Sequence, residues 1–124
     1  LRDNEGEVVR TMDDINASTW DQLHQGMELM VSSHATFSGL DFTMAGKTGT
    51  AQQNELHPDH ALFVGYAPAD SPEISVAVRI VNGYNSGYAS EIGRDVSQIY
   101  FNPDLKDELL TGEAADLGSE MAGD

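Results

Sequence analysis

Apolar positions recur at helical spacing, then alternate, then return to helical spacing along this chain. Trp20, Leu23, Met27, Met30 and Val31 make one stripe with a period near 3.6, which predicts a first helix. Ser18 with Asp21 three residues on has the pattern of a capping box and sets its expected start; Ser32-Ser33-His34 ends it. Ahead of it, Asn4-Glu5-Gly6 reads as a turn into a short strand over residues 4–10. Three further strands are expected, from Phe42 to Gln52, His60 to Ala67 and Glu73 to Val81. In the last of these, Ile74, Val76, Val78 and Ile80 alternate with Ser75, Ala77 and Arg79. Pro68-Ala69-Asp70-Ser71-Pro72 is a tight loop, so the last two strands should form an antiparallel hairpin. The linker from Asn54 to Asp59 is short enough for the first pair to be antiparallel too. After the glycine-rich loop Gly83 to Gly87, a second helix is expected from Ala89 to Phe101, with Ile92, Val96, Ile99 and Tyr100 on one face. Asn102-Pro103 stops it. The order predicts an α+β fold: an antiparallel three-stranded meander flanked by two helices, each laying an apolar stripe on the sheet.

Composition narrows the functional classes. Hydrophobic residues make up 40% of the 124, enough for a core. Asp plus Glu number 21 against 6 Lys plus Arg, a net charge of -15. Nucleic acid and anionic membrane surfaces attract basic patches, so neither is an expected partner. Cysteine is absent, which excludes disulfides and thiolate metal sites. No apolar run approaches membrane-spanning length and no signal peptide is visible. Leu1 is not an initiator Met, so the chain reads as a segment of something longer. From Asp104 onward there are seven acids and one lysine, so residues 1–101 read as the folded part and 102–124 as an acidic tail with at most a helical turn.

Candidate chemistry centres on Lys47. It is the only Lys or Arg between Arg10 and Arg79, and it stands in Ala45-Gly46-Lys47-Thr48-Gly49-Thr50-Ala51-Gln52. An ammonium beside two threonine hydroxyls suits an anion, the first by charge and the others by directed hydrogen bonds. A glycine lets another backbone lie close, and an extended edge can accept a peptide as a further strand. Taken alone, Lys-Thr-Gly is better read as an exposed strand whose side chains face water, since tripeptide matches are common. A phosphate loop is rejected: its first glycine would fall at Asp41, and Thr48-Gly49-Thr50 is a poor helix start. His57, Asp59 and His60 offer two or three ligands on one loop without a second cluster, so no metal or other cofactor is expected. His24, His34, Glu28 and Glu91 read as helix faces and ends.

The surroundings of Lys-Thr-Gly change its weight. Ala-Gly-Lys-Thr-Gly-Thr-Ala-Gln followed by His60-Ala61-Leu62-Phe63-Val64-Gly65-Tyr66-Ala67-Pro68 resembles the penicillin-binding transpeptidases, in particular their monofunctional class B. Lys-Thr-Gly is the third motif of that family and of the related class A β-lactamases. The resemblance runs over nearly all of residues 1–101, with the Trp20 helix, Gly26-Met27 and the helix after Gly87 in the family's order. It implies the C-terminal part of a β-lactamase/transpeptidase-like fold. Lys47 would help neutralise the substrate carboxylate. Thr48 and Thr50 hydroxyls would hold it, the Thr50 N–H would form half of an oxyanion hole, and Gly49 and Gln52 would border the bound peptide. Implied ligands are a stem peptide ending in D-Ala-D-Ala and β-lactam antibiotics. The implied setting is the outer face of the cell membrane, with an anchor outside this segment. The family's other two motifs are missing: Met44 and Pro103 stand where Ser-x-x-Lys needs serine, and no Asn has Ser two residues before it. The chain is therefore expected to be inactive alone and to self-associate through an uncovered edge or face. A β-lactamase, carboxypeptidase or β-lactam sensor of the same fold, or a non-enzymatic interaction module, stays open.

Overall fold

A computed structural model describes residues 7–53 and 55–112. Its centre is a three-stranded antiparallel sheet of β1 (Ala45–Ala51), β2 (His60–Ala67) and β3 (Ile74–Ile80), in that order. The expected meander forms, with both pairings antiparallel. Lys47 lies opposite Val64, Thr48 opposite Phe63, and Phe63 opposite Val78. Successive side chains leave opposite faces. One face therefore carries Ala61, Phe63 and Ala67 with Ile74, Val76, Val78 and Ile80; the other carries Lys47, Val64 and Tyr66.

Helix α1 (Ala17–Ser33) packs beside β1 on the second face, where the His24 ring lies 5.6 Å from the Tyr66 ring. Helix α2 (Ser86–Phe101) covers the first face. A 3₁₀ turn at Ala35–Phe37 leads from α1 toward β1, and Phe37 stacks on Phe63 with ring centres 5.4 Å apart. Arg94 of α2 fastens that turn by donating to the Thr36 carbonyl at 3.1 Å, while Asp95 holds its guanidinium at 2.6 Å.

Phe63 is fully buried and sits in a cradle of glycines. A Cβ at Gly46 would meet its Cζ at 2.6 Å, one at Gly65 would meet Cζ at 2.8 Å, and one at Gly93 would overlap the ring at Cδ1. Gly46 and Gly65 are register partners, and Gly93 comes from the helix above. The ring therefore fills the space of three missing side chains and brings α2 down onto the sheet.

Several boundaries and faces differ from expectation. Residues 7–10 form no strand, and Val8 and Val9 are exposed; residues 4–6 of the expected strand lie outside the described ones. Nothing among the described residues pairs with that stretch or covers its valines. Helix α1 begins at Ala17 behind Asn16, which leaves Ser18 inside the first turn, so the Ser18–Asp21 box does not form. Its stripe is buried only toward the C-terminal end, at Val31, with Leu23 half exposed. Helix α2 starts three residues early at Ser86, because Asn85 caps it by accepting the Gly87 N–H at 2.7 Å. Its buried face is Ser86, Ala89, Ser90, Gly93 and Ser97, whereas Ile92, Val96 and Tyr100 are left half exposed. Small residues win because the Phe63 ring already occupies the interface. Ser90 and Ser97 satisfy their hydroxyls on carbonyls four residues back, at 3.1 and 2.8 Å. Past Asn102, a 3₁₀ turn leads into the single-turn α3 (Lys106–Leu109). Residues 113–124 of the acidic tail lie outside the described ones.

The cradle makes a prediction whose sign is unusual. Alanine normally outperforms glycine inside a helix by about 1 kcal/mol. Gly93→Ala should instead destabilise, by roughly 1–3 kcal/mol, because its methyl overlaps a ring with nowhere to go. Shortening the ring with Phe63→Leu in the same chain should make the alanine less costly. Urea midpoints for the single and double variants check this; a higher midpoint for Gly93→Ala would show that the ring does not need the space.

Candidate functional site

Lys47, Thr48, Gly49 and Thr50 lie together on β1, which is an edge strand with β2 on one side only among the described residues. Residues such as these at a sheet edge alternate between the two faces, so Lys47 and Gly49 share one, Thr48 and Thr50 the other. Lys47 is exposed and Thr48 half-buried. The Lys47 ammonium turns back over the strand, donating to the Thr48 carbonyl at 2.8 Å and to Thr48 Oγ1 at 3.4 Å. No carboxylate among the described residues pairs with it. In a chain of net charge -15, an ammonium held by neutral oxygens alone retains its charge for an external anion. Gln52 is exposed just beyond the strand, next to Gln53.

The glycines of the motif have different causes. Gly46 is required by the Phe63 ring. At Gly49 a Cβ would meet Leu62 Cβ at 3.5 Å, an ordinary contact, and its φ is not in the left-handed region. Neither packing nor backbone among the described residues asks for glycine at 49.

The far end of β1 is fixed by a clip that the sequence did not suggest. Buried His60, opposite Ala51, accepts the Asn82 N–H on Nδ1 at 3.0 Å and faces Gln53 Oε1 from Nε2 at 2.9 Å. Nδ1 is an acceptor, so the ring is the Nε2–H tautomer donating to Gln53. Both nitrogens are committed, and His60 serves as a strap joining the β1–β2 linker to the turn after β3. Gln53, His60 and Asn82 are polar, aperiodic and 29 positions apart at their extremes (82 − 53), so no local pattern announces them. The near end of β1 is held by Thr43, whose Oγ1 accepts the Ala69 N–H at 3.0 Å and donates to Asp70 at 3.2 Å.

Two cavities lie elsewhere. One of about 920 Å³ lies between Ile80, α2 and Leu110, and one of about 660 Å³ lies between the end of α1 and residues 38–44. Neither is lined by Lys47 to Thr50. Among the described residues no helix is long and apolar enough to cross a membrane.

An edge strand that offers an unpaired ammonium and two hydroxyls, backed by a glycine-cradled hairpin and a C-terminal helix, has a counterpart among known proteins. Residues 4–98 match the penicillin binding protein transpeptidase domain. The chain belongs to this family. The peptidoglycan D,D-transpeptidase MrdA of Haemophilus influenzae is 33% identical over an alignment covering 74% of this chain and 18% of that protein. The MrdA of Acinetobacter baumannii is 42% identical across 44% of this chain and 10% of its own length. Penicillin-binding protein A of M. tuberculosis, solved as an imipenem acyl-enzyme, superposes with a TM-score of 0.63 at 28% identity, covering 71% of this chain and 20% of that one. The chain thus spans between a tenth and a fifth of these relatives. The transpeptidase fold expected from Lys-Thr-Gly and its flanks is the fold found.

Two predictions follow from the geometry. Gly46→Ala should destabilise by ~1–3 kcal/mol through its clash with Phe63, whereas Gly49→Ala should stay within ~0.5 kcal/mol of the parent chain. Comparable losses at both positions, measured by urea unfolding, would contradict this division. The second concerns Tyr66, on the same face as Lys47. Its buried hydroxyl has no hydrogen-bond partner among the described residues. Burial, and then the negative charge of Glu28, raise its pKa above the ordinary tyrosine value. Stability from the protonated hydroxyl is intact below the unfolded-state pKa near 10 and is lost as pH climbs through the higher folded value. Tyr66→Phe should be neutral or mildly stabilising at pH 7 and should flatten the loss of stability above pH 10, followed by circular dichroism.

Proposed function

We propose that this chain contributes the substrate-binding strand of a peptidoglycan D,D-transpeptidase that cross-links stem peptides through a serine acyl-enzyme. The observation that carries the reading is Lys47-Thr48-Gly49-Thr50 on an edge strand, with a glycine at 49 for which internal packing gives no reason. A substrate backbone laid along the edge supplies that reason. Lys47 neutralises the carboxylate of a peptide ending in D-Ala-D-Ala, or of a β-lactam, and tunes the protons around the nucleophile. Thr48 and Thr50 hydroxyls hold that carboxylate, and Gln52 borders the peptide. The Thr50 N–H donates to the oxyanion of the tetrahedral intermediate; one such donor is typically worth about 10²–10³ in rate. Acylation joins the serine oxygen to the penultimate D-Ala carbonyl and releases the terminal D-Ala. Attack by an acceptor amine then forms the cross-link and frees the serine.

The sequence holds no Ser-x-x-Lys and no Ser-x-Asn, so the nucleophile has to come from another part of a longer protein. That protein works outside the cytoplasm, membrane-anchored, where its polymer substrate is. The names of the relatives and the imipenem acyl-enzyme of the M. tuberculosis protein support both ligand classes.

Purified alone and mixed with fluorescent penicillin, the chain should show no covalent adduct by intact mass. A stable stoichiometric adduct would refute the missing-nucleophile account. In a longer protein that carries the serine, Lys47→Ala should slow acylation by roughly 10²-fold or more, with a smaller loss for Thr48→Ala. Normal acylation by both would remove the roles assigned here. Rapid release of the adduct would mark a β-lactamase of the same fold instead.

A further inference from the structure

The exit of the Lys47 strand is governed by one buried side chain. β1 ends at Ala51, whose partner His60 makes the last rung of the β1–β2 ladder, one residue beyond Thr50. A terminal rung is supported on one side only and opens first unless something else holds it. The His60 ring holds it from two directions. Its Nε2–H reaches Gln53 Oε1 at 2.9 Å, and its Nδ1 accepts the Asn82 N–H at 3.0 Å. Asn82 and Tyr84 stand at φ 54° and 71°, a region that residues other than glycine keep only where their neighbours fix them. Both N–H groups are bound by the start of β2, Asn82 on the His60 ring and Tyr84 on the Asp59 carbonyl at 3.1 Å. Gly83 between them lies so close to Ala61 and Ile80 that a Cβ would meet each side chain at 2.8 Å. The turn after β3 is therefore a fixed post, and the imidazole spans from it to the second residue past the strand.

We propose that His60 is a positioning residue for acylation: through Gln53 it holds the exit of β1 so that the Thr50 N–H stays aimed at the oxyanion. The proposal rests on the transpeptidase reading above. An oxyanion donor works only where it is placed in advance, and a small displacement set up far from the chemistry is enough to slow the reaction. Lys47, which takes the carboxylate, lies four residues further in along β1. Slackening the exit should therefore harm the chemical step more than the first capture of the ligand. A neutral imidazole suits the task, because it offers a donor and an acceptor on opposite sides of one rigid ring. An Asn or Gln side chain reproduces only one of the two positions. Gln53 is exposed, so the arm can be cut at that end with little effect on folding.

The test uses the longer protein that carries the serine, with acylation by fluorescent penicillin resolved into a binding constant and a chemical rate constant. Gln53→Met keeps the side chain's length and removes the acceptor. His60→Asn keeps an amide where Nδ1 stands and removes the Nε2–H. Each should lower the rate constant roughly 10-fold and leave the binding constant within about twofold. The urea midpoint of Gln53→Met should not move. The double variant should be no slower than the slower single one, because both cut the same arm. Gln53→Glu, which keeps an acceptor oxygen, should retain the parent rate constant. In the chain itself, the ring nitrogen shifts of His60 should place its proton on Nε2. His60 is buried, so Gln53→Met carries the test if circular dichroism shows His60→Asn unfolded. A normal rate constant for Gln53→Met beside a slow Lys47→Ala overturns the proposal and leaves the transpeptidase reading standing. Normal acylation by Lys47→Ala and Thr48→Ala overturns that reading and the proposal with it. The proposal also falls if Gln53→Met loses its urea midpoint along with its rate, if the double variant loses the product of the two single losses, or if the proton sits on Nδ1.

Discussion

The Phe63 ring, held where three side chains are missing, sets the geometry of everything around it. A phenyl ring standing on a sheet normally keeps a helix at the usual layer separation. Here Gly46 and Gly65 let the ring lie down on β1 and β2, and Gly93 lets α2 descend on it. The arrangement couples register to layer packing. Sliding β1 by one residue would bring Lys47 into line with Gly65 and drive its side chain toward the wrong face. The pairing that puts Gly46 against Gly65 therefore also puts Lys47 on the face away from α2.

This coupling explains how one short strand can be rigid and available at once. β1 is anchored by the ring beneath Gly46, by Thr43 to the β2–β3 loop and by the His60 strap at its far end. Between those anchors, Lys47 is exposed and turns back over the strand onto Thr48. At Gly49, alanine fits sterically and conformationally. A position that the fold leaves free, filled by the residue least favourable to a strand, points to a demand from outside the fold.

Much of the architecture was legible because the meander is written in local signals. The alternation in Ile74 to Ile80 and the proline-bounded loop at 68–72 specify a hairpin without tertiary information. The face of α2 was not legible. Its period of Ile92, Val96, Ile99 and Tyr100 marks an apolar stripe, but the sheet receives the Gly-Ala-Ser face, since Phe63 supplies the bulk from below. Periodicity measures which residues are apolar, whereas close packing asks which are small enough. Residues 7–10 failed for a simpler reason: two adjacent valines give a strand signal, yet a strand needs a neighbour. At the site, the Lys-Thr-Gly-Thr residues were legible through their flanks, whereas the His60 clip depends on Gln53 and Asn82 meeting across the fold.

The two edges of the sheet finally divide the molecule's chemistry. Among the described residues neither outer edge meets another strand, so each has the form of a template for one. What differs is what each edge adds. β1 adds an ammonium, hydroxyls and glycines, which favour a short ligand bearing a carboxylate and disfavour an extended apolar ladder. β3 adds branched aliphatic side chains and a single cation, which favour a strand of matching pattern. On the proposed reading, the Lys47 strand is the edge that receives a ligand, and the branched aliphatic edge on the opposite side of the sheet is the one suited to pairing with a further strand.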